Sequence, residues 1–155
     1  MSHDEPRPPD SYRDDPDVPA FPDDGPVLFV DSDCTLCSVW ARIVARHDRA
    51  RRFRLCAVQS PLGRAVMLHY GLDPDDPDSW LCLHEGRAYE GMDAVAAAGR
   101  LLSGWPRLVC PLAVLPPPPL RRRLYARVAR NRYAVLGRTE ICALPDPALR
   151  ARLIG

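Results

Sequence analysis

The chain has no lysine: all 21 of its basic residues are arginine. Such a uniform choice reflects the base composition of the coding sequence rather than chemistry, since the two cations do different work. It also lacks any apolar run near the ~20 residues a bilayer-spanning helix needs. The longest, residues 94–102, is broken by Gly99 and Arg100. No positive stretch followed by an apolar one opens the chain, so a secretory signal is not read there. A cytoplasmic location is therefore expected, with the six cysteines mostly reduced. There is no second Cys-x-x-Cys and no His-x-x-x-His, and His47, His69 and His84 are scattered. A closed zinc site needs four ligands, so metal is not expected. No glycine-rich strand–loop–helix occurs, which leaves no nucleotide or phosphate cofactor to expect.

What is present fits one domain. A chain of 155 residues with 46% hydrophobic content can bury a single core. Its net charge of +1 hides an uneven distribution. Residues 1–26 carry eight acidic and two basic side chains and seven prolines. Such a segment reads as a disordered acidic tail, because it offers little apolar surface to offset its ordering entropy. Residues 27–155, expected to form the folded domain, hold nineteen arginines against twelve carboxylates, about +7. A mild excess of this kind is a solvated surface by default, and no nucleic-acid partner is expected.

Along that domain the hydrophobic period changes repeatedly. Residues 26–31 form a short continuous apolar run bounded by proline and a polar turn, which suits a strand buried on both faces. Val39, Trp40, Ile43, Val44 and His47 then recur at helical spacing, over residues 34–48, with Asp33 as the expected N-cap. Residues 52–58 read as a second strand. Ser60 and Pro61 open a second helix that runs to about Tyr70 and ends at Gly71. Residues 80–84 and 87–89 form a hairpin around Glu85-Gly86. A helix over residues 92–102 follows, then helical pieces over 106–115 and 119–133, and a short helix near 146–153. Strand–helix–strand gives a right-handed parallel pair, and the hairpin adds an antiparallel one. The expected fold class is α/β and thioredoxin-like: a central mixed sheet of about four strands flanked by helices, with extra C-terminal helices.

Cys34 and Cys37 stand where the first strand becomes a helix. Free N–H groups and the positive end of the macrodipole favour a thiolate at that point, so Cys34 is the expected nucleophile. Cys37, three residues on, shares its helix face and lies within reach of a disulfide. Cys34 would attack a substrate disulfide and Cys37 would resolve the mixed disulfide. Trp40, one turn on, packs in the core or walls the site. Asp31 is either a turn residue or the acceptor of the Cys37 proton, and carboxylates so near Cys34 oppose its ionisation.

These residues resemble a known family. Asp31-Ser32-Asp33-Cys34-Thr35-Leu36-Cys37 fits the Asp-x-x-Cys-x-x-Cys signature of the DCC family of thiol–disulfide oxidoreductases. The likeness continues through Phe53-Arg54, Gln59-Ser60, Asp78-Ser79-Trp80, residues 86–91, Ala94, Tyr125, residues 129–133 and residues 137–142. It implies a thioredoxin-like fold with Cys34 and Cys37 as the redox residues. Two departures stand out. Ser32 replaces a frequent glycine, and Asp78 and Ser79 separate Pro77 from the third strand, where thioredoxins place a cis-proline.

Of the remaining cysteines, Cys56, Cys82 and Cys110 read as small buried hydrophobes. Cys142 is a buried residue or a third thiol approaching the pair. Arg121-Arg122-Arg123 begin a basic helix whose apolar stripe is Leu120, Leu124 and Val128, with Tyr125 and Tyr133 fitting the core-facing pattern. The expectation is a monomeric, cofactor-free oxidoreductase acting on a disulfide-bearing protein or a small thiol. The alternative is a non-catalytic adaptor that docks a partner or an anionic surface through the arginine-rich helix.

Overall fold

The structure, a computed structural model, describes residues 7–75, 80–136 and 147–155, with the backbone alone for Arg132, Tyr133, Val135 and Leu136. Its elements are β1 (Val27–Val30), α1 (Thr35–His47), β2 (Arg54–Ala57), α2 (Pro61–His69), β3 (Leu81–His84), β4 (Arg87–Glu90) and α3 (Gly91–Leu101). Beyond these lie α4 (Trp105–Val109), a 3-10 turn (Cys110–Val114), α5 (Pro118–Leu136), α6 (Pro147–Arg150) and β5 (Leu153–Ile154). One mixed sheet has the order β4-β3-β1-β2-β5. Strand β1 is parallel to β2 and antiparallel to β3, which is antiparallel to β4. This is the α/β, thioredoxin-like arrangement read from the element order.

Every side chain of β1 is buried because successive residues feed opposite faces of a covered sheet. Leu28 and Val30 join Leu55 and Cys82 against α1 and α3, where they meet Trp40, Val44, Ala94 and Ala98. Val27 and Phe29 join Cys56, Leu81 and Leu83 against α2, where they meet Leu62, Val66 and Met67. The sequence cues at element ends hold where they are local. Ser60 accepts from the Gly63 N–H at 3.0 Å with Pro61 at the first turn of α2. The hairpin turn has positive φ at both Glu85 and Gly86, the pattern of a type I′ connection.

Three expectations are corrected. The sheet has five strands, not about four: β5 lies where the short helix near 146–153 was expected to end. It pairs in parallel with Leu55 and Cys56, covering an edge that would otherwise present free backbone groups. Behind it, the Arg152 guanidinium donates to the buried Asp48 carboxylate, which also receives the N–H groups of Arg52 and Phe53. That anchor joins the end of α1 to the C-terminal strand.

The second correction concerns the proline-rich acidic segment. Residues 7–26, expected to be disordered, lie against the domain. Tyr12 is buried, its ring 5.5 Å from that of Phe21, which in turn meets Phe29 edge-on. The Tyr12 hydroxyl donates to Asp23 at 2.6 Å, and Asp24 pairs with Arg54 at 2.8 Å. His69, at the end of α2, is held between Ser11 Oγ at 2.9 Å and Asp15 Oδ2 at 2.6 Å. Composition hid this because two aromatic rings suffice to cover the part of the sheet that α2 leaves open. The prolines also lessen the entropy lost on ordering.

The third correction is at α5. The expected core stripe of Leu120, Leu124 and Val128 is between 43% and 49% exposed. Tyr125 faces the core as expected, and Arg121 and Ala129 share its packed face, one helical row from that stripe. Arg121 pairs with Asp93 at 3.0 Å, and the Tyr125 hydroxyl accepts from the Trp80 N–H at 2.9 Å. Two polar anchors and one small residue decide the docking side, against the pull of the larger aliphatic groups.

Candidate active site

The strand-to-helix turn after β1 is built by Asp31. This carboxylate is buried, and its Oδ1 accepts from the Asp33 N–H at 3.0 Å and from the Gln59 amide at 2.7 Å. Gln59 sits at the matching turn after β2, and its Oε1 accepts from the Ser32 N–H and hydroxyl at 3.1 and 3.0 Å. The two parallel strands thus end in turns that are clamped side chain to backbone. The serine that stands in place of a glycine supplies one donor of that clamp.

Helix α1 then starts one residue later than expected. Its N-cap is Cys34, not Asp33, and the Cys34 sulfur accepts from the Cys37 N–H at 3.5 Å. Sulfur occupies the role usually filled by a serine or aspartate oxygen. Negative charge on Cys34 is stabilised there by a backbone donor and by the positive end of the helix. The Asp33 carboxylate instead accepts from the Ser32 hydroxyl at 3.4 Å.

Cys37 lies beside Cys34 and hydrogen-bonds to it, both as free thiols. Its thiol is pushed far above the ordinary thiol range, first by that bond to Cys34, then by burial, with the Asp31 charge adding to the effect. One contact works in the opposite direction. The indole Nε1–H of Trp80 donates to Cys37 Sγ at 2.9 Å, stabilising charge on this sulfur. Trp80 is itself fixed at three points. Its ring stacks on Trp40 with centroids 5.7 Å apart and planes 7° from parallel, its N–H meets Tyr125, and its carbonyl accepts from Gly91.

Cys34, Cys37 and Asp31, the three residues singled out from the sequence, therefore meet at one turn. What the sequence reading did not supply is their burial: Cys34 is 0% and Cys37 1% exposed, sealed within the core layer that holds Trp40. Nor did it assign roles to Trp80 or Gln59, although both belong to the stretches that carried the family resemblance. Among the described residues no group of three or more His, Cys, Asp or Glu side chains lies together in a form that would hold a metal ion. Cys82 and Cys110 are buried in the same core layer as the pair and Cys56 in the layer on the other face of the sheet, and burial raises each thiol, that of Cys82 to about 12. Cys142, Asp78 and Ser79 lie outside the described residues.

Comparison with known proteins agrees with this geometry. The chain is 35% identical over 123 residues to a chloroplastic DCC family protein of Arabidopsis thaliana, covering 79% of this chain and 71% of the relative. It is 30% identical over 129 residues to the uncharacterized protein YuxK of Bacillus subtilis, covering 83% and 93% respectively. No solved structure gives a significant match. The DCC1-like thiol-disulfide oxidoreductase family matches residues 28–138, from within β1 to just beyond α5. That span takes in Asp31, both cysteines, Gln59, Trp80 and Tyr125, and the chain belongs to this family.

Proposed function

We propose that the protein catalyses thiol–disulfide exchange through Cys34 and Cys37, with Cys34 as the attacking thiol. The observation that carries this reading is the cap geometry. Cys34 Sγ replaces an oxygen at the N-terminus of α1, while Cys37 is held protonated beside it. In the first step the Cys34 thiolate attacks one sulfur of a substrate disulfide, forming a mixed disulfide and expelling a substrate thiolate. In the second, Cys37 gives up its proton and attacks Cys34 Sγ, closing the Cys34–Cys37 disulfide and expelling the second substrate thiolate. Asp31, whose charge is felt at Cys37, is the proposed acceptor of that proton. Both thiols are covered, so the exchange requires local opening of the site.

The substrate is proposed to be a protein disulfide or a small disulfide, in a reducing compartment such as the cytoplasm. The non-catalytic adaptor finds less support, since an adaptor has no use for a thiol pair clamped at a helix start. The test is equilibration of the full chain in glutathione buffers of graded poise, followed by acid trapping and mass analysis. An intramolecular Cys34–Cys37 disulfide is expected, and a stable mixed disulfide with glutathione in Cys37→Ser. Disulfide-reducing turnover unchanged in Cys34→Ser, or no internal disulfide at any poise, would sink the proposal.

A further inference from the structure

Residues 105–136, comprising α4, the 3-10 turn and α5, contain seven arginines and no acidic residue. The same stretch holds most of the large apolar side chains that the fold leaves uncovered. Trp105 is 49%, Leu108 75%, Leu112 54% and Leu115 74% exposed. Their spacing puts them on one side of the α4 segment, while Pro106 and Cys110 on its other side are buried against the domain. Leu124 and Val128 continue the apolar exposure along α5, between the exposed Arg123, Arg127 and Arg130. The Arg121 guanidinium reaches the Val114 carbonyl at 3.4 Å, tying the start of α5 to the end of the turn.

We propose that this face docks on an anionic phospholipid bilayer. Apolar side chains enter the boundary between headgroups and acyl chains, and the guanidinium groups remain at headgroup level against lipid phosphate and carboxylate. Charge selects this occupant over the others. A second copy of the face would set arginines against arginines with no carboxylate on either side to offset them. A nucleic acid would satisfy the arginines but leave Leu108 and Leu115 in water. Docking is peripheral, since among the described residues no helix is long and apolar enough to cross a membrane. Tyr125 lies one helical row from this stripe, so the same helix connects the bilayer-facing side to the tryptophan over Cys37.

The test uses the full chain and two vesicle compositions, phosphatidylcholine alone and phosphatidylcholine with phosphatidylserine at roughly 7:3, read by co-sedimentation and tryptophan emission. Binding to the mixed vesicles, a blue shift absent in Trp105→Phe, and release by salt are expected. Each arginine removed in Arg123→Gln/Arg127→Gln should weaken partitioning about fivefold. Leu108→Ser/Leu115→Ser should weaken it by about tenfold or more. All four positions are exposed, and unchanged circular dichroism confirms that the variants fold. No binding to the mixed vesicles, equal binding to both compositions, or full binding by both variants would overturn the proposal. So would a dimer broken by the leucine substitutions, or tighter binding to polyglutamate than to the mixed vesicles.

Discussion

Replacing Trp80 with phenylalanine removes one donor from the proposed redox pair and keeps an aromatic ring against Trp40. The lost contact is the Nε1–H to Cys37 Sγ bond of 2.9 Å. A neutral hydrogen bond contributes about 1 kcal/mol net, and one to a charged acceptor about 1.5–3 kcal/mol. The sulfur is a better acceptor as a thiol or thiolate than in a disulfide, so the bond favours the reduced protein. Its removal should move the potential in the reducing direction. At about 1 kcal/mol the shift is about 20 mV, since about 1.4 kcal/mol corresponds to about 30 mV for a two-electron couple. The neutral value applies because Cys37 is held protonated in the reduced protein.

Two measurements check this independently. The first is the fraction of internal disulfide across glutathione buffers, for wild type and variant side by side. The second is urea unfolding of each protein in both redox states. Trp80→Phe should destabilise the reduced form more than the oxidised one, and the excess should equal the free energy of the potential shift. An unchanged potential, or one shifted in the oxidising direction, would refute the assignment of Trp80 as a donor that stabilises the Cys37 sulfur.

Two further outcomes follow from other parts of the structure. In Cys34→Ala the Cys37 thiol should titrate at lower pH than in wild type, because the largest influence raising it is its hydrogen bond to Cys34. Thiolate absorbance against pH, with the double alanine variant as baseline, reads this directly, and a higher titration point would contradict it. Tyr12→Ala should cost about 3–5 kcal/mol in urea unfolding, the loss typical of a buried aromatic. A loss under about 0.5 kcal/mol, the range of surface substitutions, would mean that the N-terminal segment does not pack as described.

What the sequence disclosed and what it withheld divide by the range of the interactions. The buried first strand, the Ser60–Pro61 helix start, the Glu85-Gly86 turn and the placement of Cys34 and Cys37 are all encoded within a few residues. Trp80 lies 43 residues from Cys37, Gln59 28 from Asp31 and Arg152 104 from Asp48. Contacts across such gaps leave no periodicity to read, so the cover of the site and the clamp on its turn stayed hidden. Composition misled in the N-terminal segment, where the disorder argument averaged over two well-placed aromatics. In α5 periodicity offered both Tyr125 as core-facing and the stripe of Leu120, Leu124 and Val128, which is the more apolar. Tyr125 and Arg121 find specific partners and turn that stripe outward.

In the proposed exchange, the electrostatics of the pair order the two chemical steps. In the reduced protein Cys34 both accepts from the Cys37 backbone and raises the Cys37 thiol, so Cys37 is held protonated. Once Cys34 is joined to substrate it carries no charge and its hydrogen bond to the Cys37 thiol is lost. Two of the three leading influences that hold Cys37 protonated then vanish together, its hydrogen bond to Cys34 and the Cys34 charge. Burial remains, opposed by the Trp80 N–H. Formation of the mixed disulfide therefore makes Cys37 the easier sulfur to ionise at the moment when its attack is needed. Under the proposed mechanism a resolving thiol that is inert before the first step and activated by it would protect the reduced protein from indiscriminate oxidation, and the sealed position of both sulfurs would serve the same end.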